Sequence, residues 1–127
     1  MNAHEETVRA YFAALDSNDL DAMLQLFAAE AIVHSPMLGE VRAAEFFPKV
    51  FGASSATSIT VFDVLVSAQG QPRAVGYFNY DWTLNDGTVV QFNAADVFDF
   101  TAEGKIARLT ILYDTFPIRD AVGDQYQ

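Results

Sequence analysis

The sequence of 127 residues contains no cysteine and few basic side chains. The lack of cysteine excludes disulfide bonds, cysteine-based zinc sites and a thiol nucleophile. Seven Lys and Arg stand against seventeen Asp and Glu, which gives a net charge of −10. A surface of that charge repels a phosphate backbone and an anionic membrane leaflet. We therefore expect neither nucleic acid nor a membrane as a partner.

Signals of targeting and of bound groups are missing as well. The opening residues, MNAHEETVRA, form no basic-then-apolar leader, and no apolar run is long enough to cross a bilayer. These features favour a cytoplasmic protein. The two histidines, His4 and His34, lie far apart, and no glycine-rich phosphate loop occurs. We expect no metal and no cofactor.

Apolar side chains are abundant. Hydrophobic residues make up 51% of the chain, with eleven Phe, five Tyr and one Trp. This is the composition of a folded chain, and its length suits one domain. No linker, repeat or low-complexity segment divides it, so we predict a single domain over residues 1–127.

The first part of the chain has helical periodicity. Apolar residues recur at i, i+3, i+4 and i+7, the spacing of an amphipathic helix, at Val8, Tyr11, Phe12 and Leu15. A second stripe at 20–27 and the segment 43–52 predict two further helices. Between them, the β-branched residues Ile32 and Val33 in the stretch AIVH at 31–34 predict a short strand.

From Thr57 onward the periodicity changes to two. Four long strands are predicted, at 58–68, 72–84, 88–100 and 105–114. Glycine-containing turns separate them, as in an antiparallel meander. Helices followed by such a meander indicate an α+β fold, in which three N-terminal helices pack on the sheet and enclose a pocket.

Three stretches carry a resemblance to a known group of proteins. They are YFAALDSNDLDAMLQLFAAEAIVHSP at 11–36, FNAADVFDFTAEGKI at 92–106 and YDTFPIR at 113–119. Together with the order of elements, they resemble the nuclear transport factor 2-like superfamily, which includes SnoaL-like cyclases and ketosteroid isomerases. The resemblance implies a cone-shaped α+β barrel with a strongly curved, mostly antiparallel sheet around a hydrophobic pocket.

The resemblance to ketosteroid isomerase implies roles for two residues. Tyr11 falls at the oxyanion-hole tyrosine of that family, and Asp96 at its second oxyanion-hole donor. Ala94, Phe98 and Phe100 share a strand face with Asp96, and apolar surroundings raise the pKa of a carboxyl group. A neutral Asp96 and Tyr11 would then both donate hydrogen bonds to one oxyanion.

Other positions depart from the family patterns. Ser35 stands where the isomerase has its general base, and His34 next to it points to the opposite face of the strand. Compared with limonene epoxide hydrolase, Asn79 and Asp81 fall at an Arg-x-Asp pair that faces the pocket. The second aspartate of that enzyme and of SnoaL cyclases falls at Ile111.

The strand that contains Asp81 has two possible orientations. Hydrophobicity alone buries Phe78, Tyr80 and Trp82 and leaves Asp81 in water. The resemblance implies the reverse, with Asn79 and Asp81 lining the cavity and the aromatic face outside. We expect the second arrangement, and an exposed aromatic face of that size predicts a homodimer through Phe78, Tyr80 and Trp82.

The candidate site residues therefore form two groups, and each has a plainer structural alternative. The candidate catalytic residues are Tyr11, Asp96, Asp81 and, as the weaker proton carrier, His34. The candidate substrate-binding residues are Phe12, Phe27, Ser35, Met37, Phe47, Phe51, Asn79, Phe98, Ile111 and Tyr113. Several of these are equally ordinary core residues, and Asp96 is equally a structural carboxyl group. The role of Asp114 stays open between turn capping and catalysis.

Three functions remain. The first is a cofactor-independent enzyme acting on a small, largely apolar molecule with a carbonyl or enolisable group, in which Tyr11 and Asp96 stabilise the oxyanion. The second is a non-catalytic domain that binds an apolar metabolite, favoured by Ser35 and Ile111 at positions where relatives have carboxylates. The third is a dimeric assembly module.

Overall fold

The computed structural model of the protein describes residues 2–115. In this part of the chain, three helices and six strands follow one another. They are α1 (Ala3–Ser17), α2 (Leu20–Gln25), β1 (Phe27–Ser35), β2 (Gly39–Arg42), α3 (Ala43–Ala53), β3 (Ser54–Val66), β4 (Arg73–Leu84), β5 (Val89–Phe100) and β6 (Ile106–Tyr113). The predicted α+β class is confirmed.

The six strands form one curved, unclosed sheet in the order β2-β1-β6-β5-β4-β3. Only β1 and β6 are parallel, and every other neighbouring pair is antiparallel. The helices pack on one face of this sheet, where the buried core lies. Within residues 2–115, no helix combines the length and the apolar character needed to cross a membrane.

The boundary between the first two helices is set by two short polar side chains. Asn18 adopts a left-handed conformation, with a φ of 58°, and closes α1. Asp19 begins α2 by accepting a hydrogen bond from the Ala22 amide at 3.1 Å. Asn and Asp tolerate these positions because their side chains bond to nearby backbone groups.

The second helix is shorter than its apolar stripe predicts. Phe27 opens β1 instead of closing α2, and its strand partner is Ile106. The carbonyl of Leu26 accepts a hydrogen bond from the Ile106 amide at 2.9 Å. Pairing with β6 therefore prevails over the local helical periodicity, and β1 is longer than the strand predicted at 31–34.

The predicted orientation of β4 is wrong. Phe78 and Tyr80 are buried on the helix side, whereas Tyr77 is 44% exposed on the other side. The rings of Phe78 and Phe12 lie 4.6 Å apart, which places the aromatic face of β4 under α1. Burial of large aromatic surface thus decides the face, as hydrophobicity alone indicates.

This orientation also corrects the predicted dimer surface. Phe78, Tyr80 and Trp82 lie inside the fold and do not form an outer patch. The outer face of the sheet instead has half-exposed apolar side chains, among them Tyr77 and Phe62, whose rings lie 5.0 Å apart. A homodimer stays a prediction, and the sheet face available to it is this outer one.

Close approach of α1 to β4 depends on a glycine. A Cβ atom at Gly76 would overlap the Phe12 ring and lie 3.2 Å from Cγ1 of Val8. The Phe12 ring cannot easily move away, because it also packs against Phe78 and Tyr11. Gly76 therefore sets the distance between the helix and the sheet above the pocket.

We predict that Gly76→Ala lowers the free energy of unfolding by about 1–3 kcal/mol, because it overpacks this contact. Urea denaturation measures the change. Gly52→Ala is the matched control: no atom lies within 4 Å of a Cβ there, and Gly52 lies within α3. Alanine at position 52 should raise stability by roughly 0.5–1 kcal/mol. Equal stability of Gly76→Ala and wild type would show that Phe12 can move aside.

Candidate active site

A cavity of about 140 Å³ lies between the helices and the sheet. The surfaces that enclose it come from α1, α3, the end of β1, the β1–β2 turn and strands β4, β5 and β6. Its described lining residues are Tyr11, Leu15, Ser35, Met37, Leu38, Phe46, Phe47, Val50, Phe78, Tyr80, Trp82, Phe92, Ala94, Asp96, Ile111 and Tyr113. An apolar cavity of this size accommodates a molecule of about one aromatic ring.

The turn after β1 forms one part of the cavity wall. Ser35 is buried, and its Oγ accepts hydrogen bonds from the amides of Met37 at 3.1 Å and Leu38 at 3.4 Å. Met37 and Leu38 are 40% and 52% exposed, so they lie where the cavity meets solvent. Ser35 thus lines the cavity, and its oxygen holds the turn that carries these two residues.

Aromatic rings form the wall that faces this turn. Tyr80 lies 5.4 Å from Phe92 and 5.7 Å from Trp82, measured between ring centroids. Phe92 in turn stacks on Tyr113 at 4.5 Å. The indole Nε1 of Trp82 donates to Oγ of Ser54 at 2.6 Å, which ties the wall to the end of α3. These contacts fix the ring positions.

Asp96 is the only carboxyl group among the described lining residues. It is 1% exposed, on the strand face that Ala94, Phe98 and Phe100 share with it. Its Oδ2 accepts a hydrogen bond from the Tyr11 hydroxyl at 3.0 Å. Burial raises the pKa of Asp96 to about 7, although the bond from Tyr11 opposes the rise. The predicted apolar surroundings are therefore present.

The second oxygen of Asp96 is left open. Oδ1 is buried and has no hydrogen-bond partner among the described residues. Burial, followed by the charge of Asp96, raises the pKa of Tyr11 well above its ordinary value, so Tyr11 stays protonated and donates. Because the Tyr11 hydrogen occupies Oδ2, the acidic proton of neutral Asp96 resides on Oδ1. In the neutral form Oδ1 is therefore the protonated oxygen.

A second buried polar atom, the Tyr80 hydroxyl, also has no hydrogen-bond partner among residues 2–115. Thr57 lies near enough to oppose the rise in the pKa of Tyr80, but it does not form a hydrogen bond of good geometry. Burial, and more weakly the charge of Asp96, raise the pKa of Tyr80 above its ordinary value. Tyr80 is thus a neutral hydrogen-bond donor at neutral pH.

Three polar residues predicted for the site, Asn79, Asp81 and His34, lie outside the cavity. Asn79 and Asp81 are on the outer face of β4, where Nδ2 of Asn79 donates to Oδ1 of Asn93 at 2.9 Å. His34 is exposed on the side of β1 opposite Ser35, with Nδ1 4.0 Å from a carboxylate oxygen of Glu40. The structure therefore brings neither predicted proton carrier, Asp81 or His34, near Asp96.

The remaining predicted residues divide into two sets. Phe12, Phe27, Phe51 and Phe98 are buried core residues that do not line the cavity. Tyr11, Asp96, Ser35, Met37, Phe47, Ile111 and Tyr113 do line it. Asp114 is exposed just after β6, and Arg119 of the YDTFPIR stretch lies outside the described residues.

Sequence reasoning missed the aromatic wall of β4, although a signal for it was present. The alternation of Phe78, Tyr80 and Trp82 with polar residues is the pattern of a half-buried strand. The resemblance to enzymes with a carboxylate at the Asp81 position led to the opposite orientation. Tyr80 is therefore the polar group of the cavity that the sequence analysis did not propose.

Comparison with known proteins identifies the family. A family model described as the SnoaL-like domain matches residues 8–109. The chain belongs to this SnoaL-like family. The predicted nuclear transport factor 2-like superfamily is thereby confirmed. No protein of curated function matches the sequence.

Solved structures share the SnoaL-like fold. SalBIII, described as an epoxide hydrolase/cyclase-like enzyme in pyran ring formation in polyether salinomycin, is 26% identical, with a TM-score of 0.75 over 90% of this chain and 92% of its own. An NTF2-like protein of unknown function from Burkholderia pseudomallei is 18% identical, with a TM-score of 0.78 over 94% and 97%. AclR, a putative hydroxylase from Streptomyces galilaeus, is 14% identical, with a TM-score of 0.75 over 94% and 95%.

We predict that Asp96→Asn changes the pH dependence of stability. Below about pH 4, Asp96 is protonated in the folded and unfolded chains, and from there to about pH 7 only the unfolded chain releases the proton. The wild-type free energy of unfolding should therefore fall relative to Asp96→Asn over this range, by roughly 2–4 kcal/mol, and then level off. Urea denaturation at a series of pH values measures it. A constant difference between the proteins contradicts the buried, protonated Asp96.

A second prediction concerns Tyr11→Phe. This change removes the hydrogen bond to Oδ2, which stabilises the carboxylate, so the pKa of Asp96 should rise above about 7. A rise of roughly one to two pH units corresponds to one hydrogen bond to a charged group. Carbon-13 NMR of the Asp96 carboxyl carbon measures it. Tyr77→Phe, on the outer face of β4, is the control and should leave that pKa unchanged.

Proposed function

We propose that this SnoaL-like protein is a cofactor-independent enzyme that moves a proton on a small, largely apolar carbonyl compound. The observation that carries the proposal is the Oδ1 atom of the cavity residue Asp96, which is buried and has no hydrogen-bond partner in the described part of the chain. A pKa of about 7 makes this carboxyl group an effective proton acceptor and donor at neutral pH. Perturbed groups of this kind concentrate at active sites.

Asp96 takes a role different from the one that the resemblance implies. Tyr11 already donates to Oδ2, so the ionised carboxylate is held by one oxygen and presents the other to the ligand. In that state Oδ1 accepts a proton from an acidic C–H bond next to a carbonyl group, this proton exchanges with solvent, and Oδ1 then returns a proton to carbon. One carboxyl group is sufficient for both transfers, so no second base is needed.

The substrate class follows from the lining. Apart from Asp96, Ser35 and the tyrosines, the described lining residues have apolar side chains or, in Trp82, an N–H already bonded to Ser54. A ring-sized molecule with a single carbonyl function suits a cavity of about 140 Å³. The similarity to SalBIII, described as an epoxide hydrolase/cyclase-like enzyme, supports small-molecule chemistry in this fold.

Solvent-deuterium exchange into phenylacetone, followed by proton NMR, tests the proposal. We predict exchange at the carbon between ring and carbonyl, with a rate that rises as the pH passes about 7 because the ionised carboxyl is the base. Asp96→Asn should lower the rate by about 10²–10⁴-fold. Asp81→Asn, a matched change on the outer face, should leave it unchanged. Equal exchange by wild type and Asp96→Asn contradicts the proposal.

A non-catalytic binding domain is the second candidate, favoured by the apolar lining and by the absence of any second carboxyl group among the described lining residues. It predicts that phenylacetone or a similar single-ring compound binds without any exchange of its carbon-bound hydrogens. Isothermal titration calorimetry together with the exchange experiment separates the two candidates.

A further inference from the structure

We infer that the Tyr80 hydroxyl is a second catalytic group of the cavity, donating a hydrogen bond to the carbonyl oxygen of the substrate while Asp96 takes the proton from the adjacent carbon. The inference rests on the proposed function, and it names the group that the proposed function lacks. An enolate oxygen that forms in an apolar cavity needs a hydrogen-bond donor, because water is largely excluded there.

The first support for the inference is that two buried polar atoms have no hydrogen-bond partner among the described residues. Buried hydroxyl and carboxyl oxygens are paired in the large majority of cases, and an unpaired one points to a missing ligand or water. In the described part of the chain, the two buried side-chain atoms without a partner are Oη of Tyr80 and Oδ1 of Asp96. Both residues line the same cavity. A ligand that bonds to both therefore accounts for both atoms.

The relative position of the two groups is the second support. They do not bond to each other, yet the charge of Asp96 reaches Tyr80 and contributes to the rise in its pKa. Across the β4–β5 pair, Asp96 lies opposite Gly76, four residues before Tyr80. The two side chains thus approach one space from different points along the sheet. Two groups on different residues suit an enolisable carbonyl compound, since its oxygen and its acidic carbon are different atoms.

Two other hydroxyl groups of the cavity wall, those of Tyr11 and Ser35, already take part in hydrogen bonds. Tyr11 donates to Oδ2 of Asp96, and it is therefore a positioning residue rather than the oxyanion donor. The buried Oγ of Ser35 accepts from two backbone amides. The Tyr80 ring is held by Phe92 and Trp82, so its hydroxyl is pre-positioned without a bond of its own.

The step balances without another reactant. Ionised Oδ1 takes a proton from the carbon next to the carbonyl group, and the electron pair of the C–H bond forms the C=C bond of the enolate. The carbonyl π electrons move to the oxygen, which receives the Tyr80 hydrogen bond. While the enolate is bound, the proton on Oδ1 exchanges with solvent. Return of a proton from Oδ1 to carbon, at the same or a conjugated position, regenerates the ionised carboxyl group.

Tyr80→Phe tests the inference in the phenylacetone exchange reaction. The expected result is a fall in turnover of about a hundredfold with a change in KM of less than about threefold, because the bond is strongest when the oxygen is charged. The variant should fold well, since the lost hydroxyl has no partner. Tyr77→Phe, three residues earlier on the outer face, is the matched control and should match wild type.

A binding measurement separates this inference from the proposed function. In the Asp96→Asn background, para-nitrophenolate in alkaline buffer serves as an enolate mimic, followed by its absorbance. Adding Tyr80→Phe should weaken its binding about tenfold, whereas adding Tyr77→Phe should not.

The exchange and binding results together decide the inference. Slower exchange in Tyr80→Phe together with weaker para-nitrophenolate binding supports it. Exchange at the wild-type rate in Tyr80→Phe overturns it, and so does para-nitrophenolate binding that Tyr80→Phe leaves unchanged. In either case the proposed function still stands if Asp96→Asn abolishes exchange. Absence of exchange in every protein overturns the proposed function, and failure of para-nitrophenolate to bind to Asp96→Asn overturns the inference as well.

Discussion

The hydrogen bond from Tyr11 to Asp96 connects the helical layer to the sheet at the centre of the protein. It joins α1 to β5 across 85 positions of the chain, inside a core of aromatic rings. A carboxyl group buried this deeply is costly in its charged form, and one hydrogen bond does not remove that cost. At neutral pH, Asp96 is therefore present in both its protonated and its ionised form, whereas a surface carboxyl group is ionised.

The surrounding structure keeps that group in place. Gly76 allows α1 to approach the sheet, so that Tyr11 and Phe12 reach strands β5 and β4. The aromatic wall around Tyr80 completes the opposite side of the cavity. Packing alone would favour filling this space with side chains. The described residues instead leave a cavity and two buried polar atoms without partners among them, a local loss of stability of the kind found at functional sites.

Local patterns predicted much of this structure. The α1 stripe, the four long strands and the apolar neighbours of Asp96 follow from periodicities of 3.6 and 2, which depend on nearby residues alone. The end of α2 did not follow, because Phe27 pairs with Ile106, about eighty residues later. The cavity lining was predicted only in part, since it is formed by residues from six elements and the β1–β2 turn.

The wrong prediction of which face of β4 lines the cavity shows how site residues can be assigned incorrectly from a resemblance. Similar backbones place corresponding residues at corresponding strand positions, but a change of one residue in alignment exchanges the two faces of a strand. Transfer by position placed Asp81 in the cavity, whereas hydrophobic burial places Tyr80 there. Among the described residues, the cavity lining then has one carboxyl group, Asp96, together with three tyrosines, instead of several carboxylates. The proposed chemistry therefore rests on Asp96 and Tyr80, which burial brings to the cavity, and not on residues transferred by position.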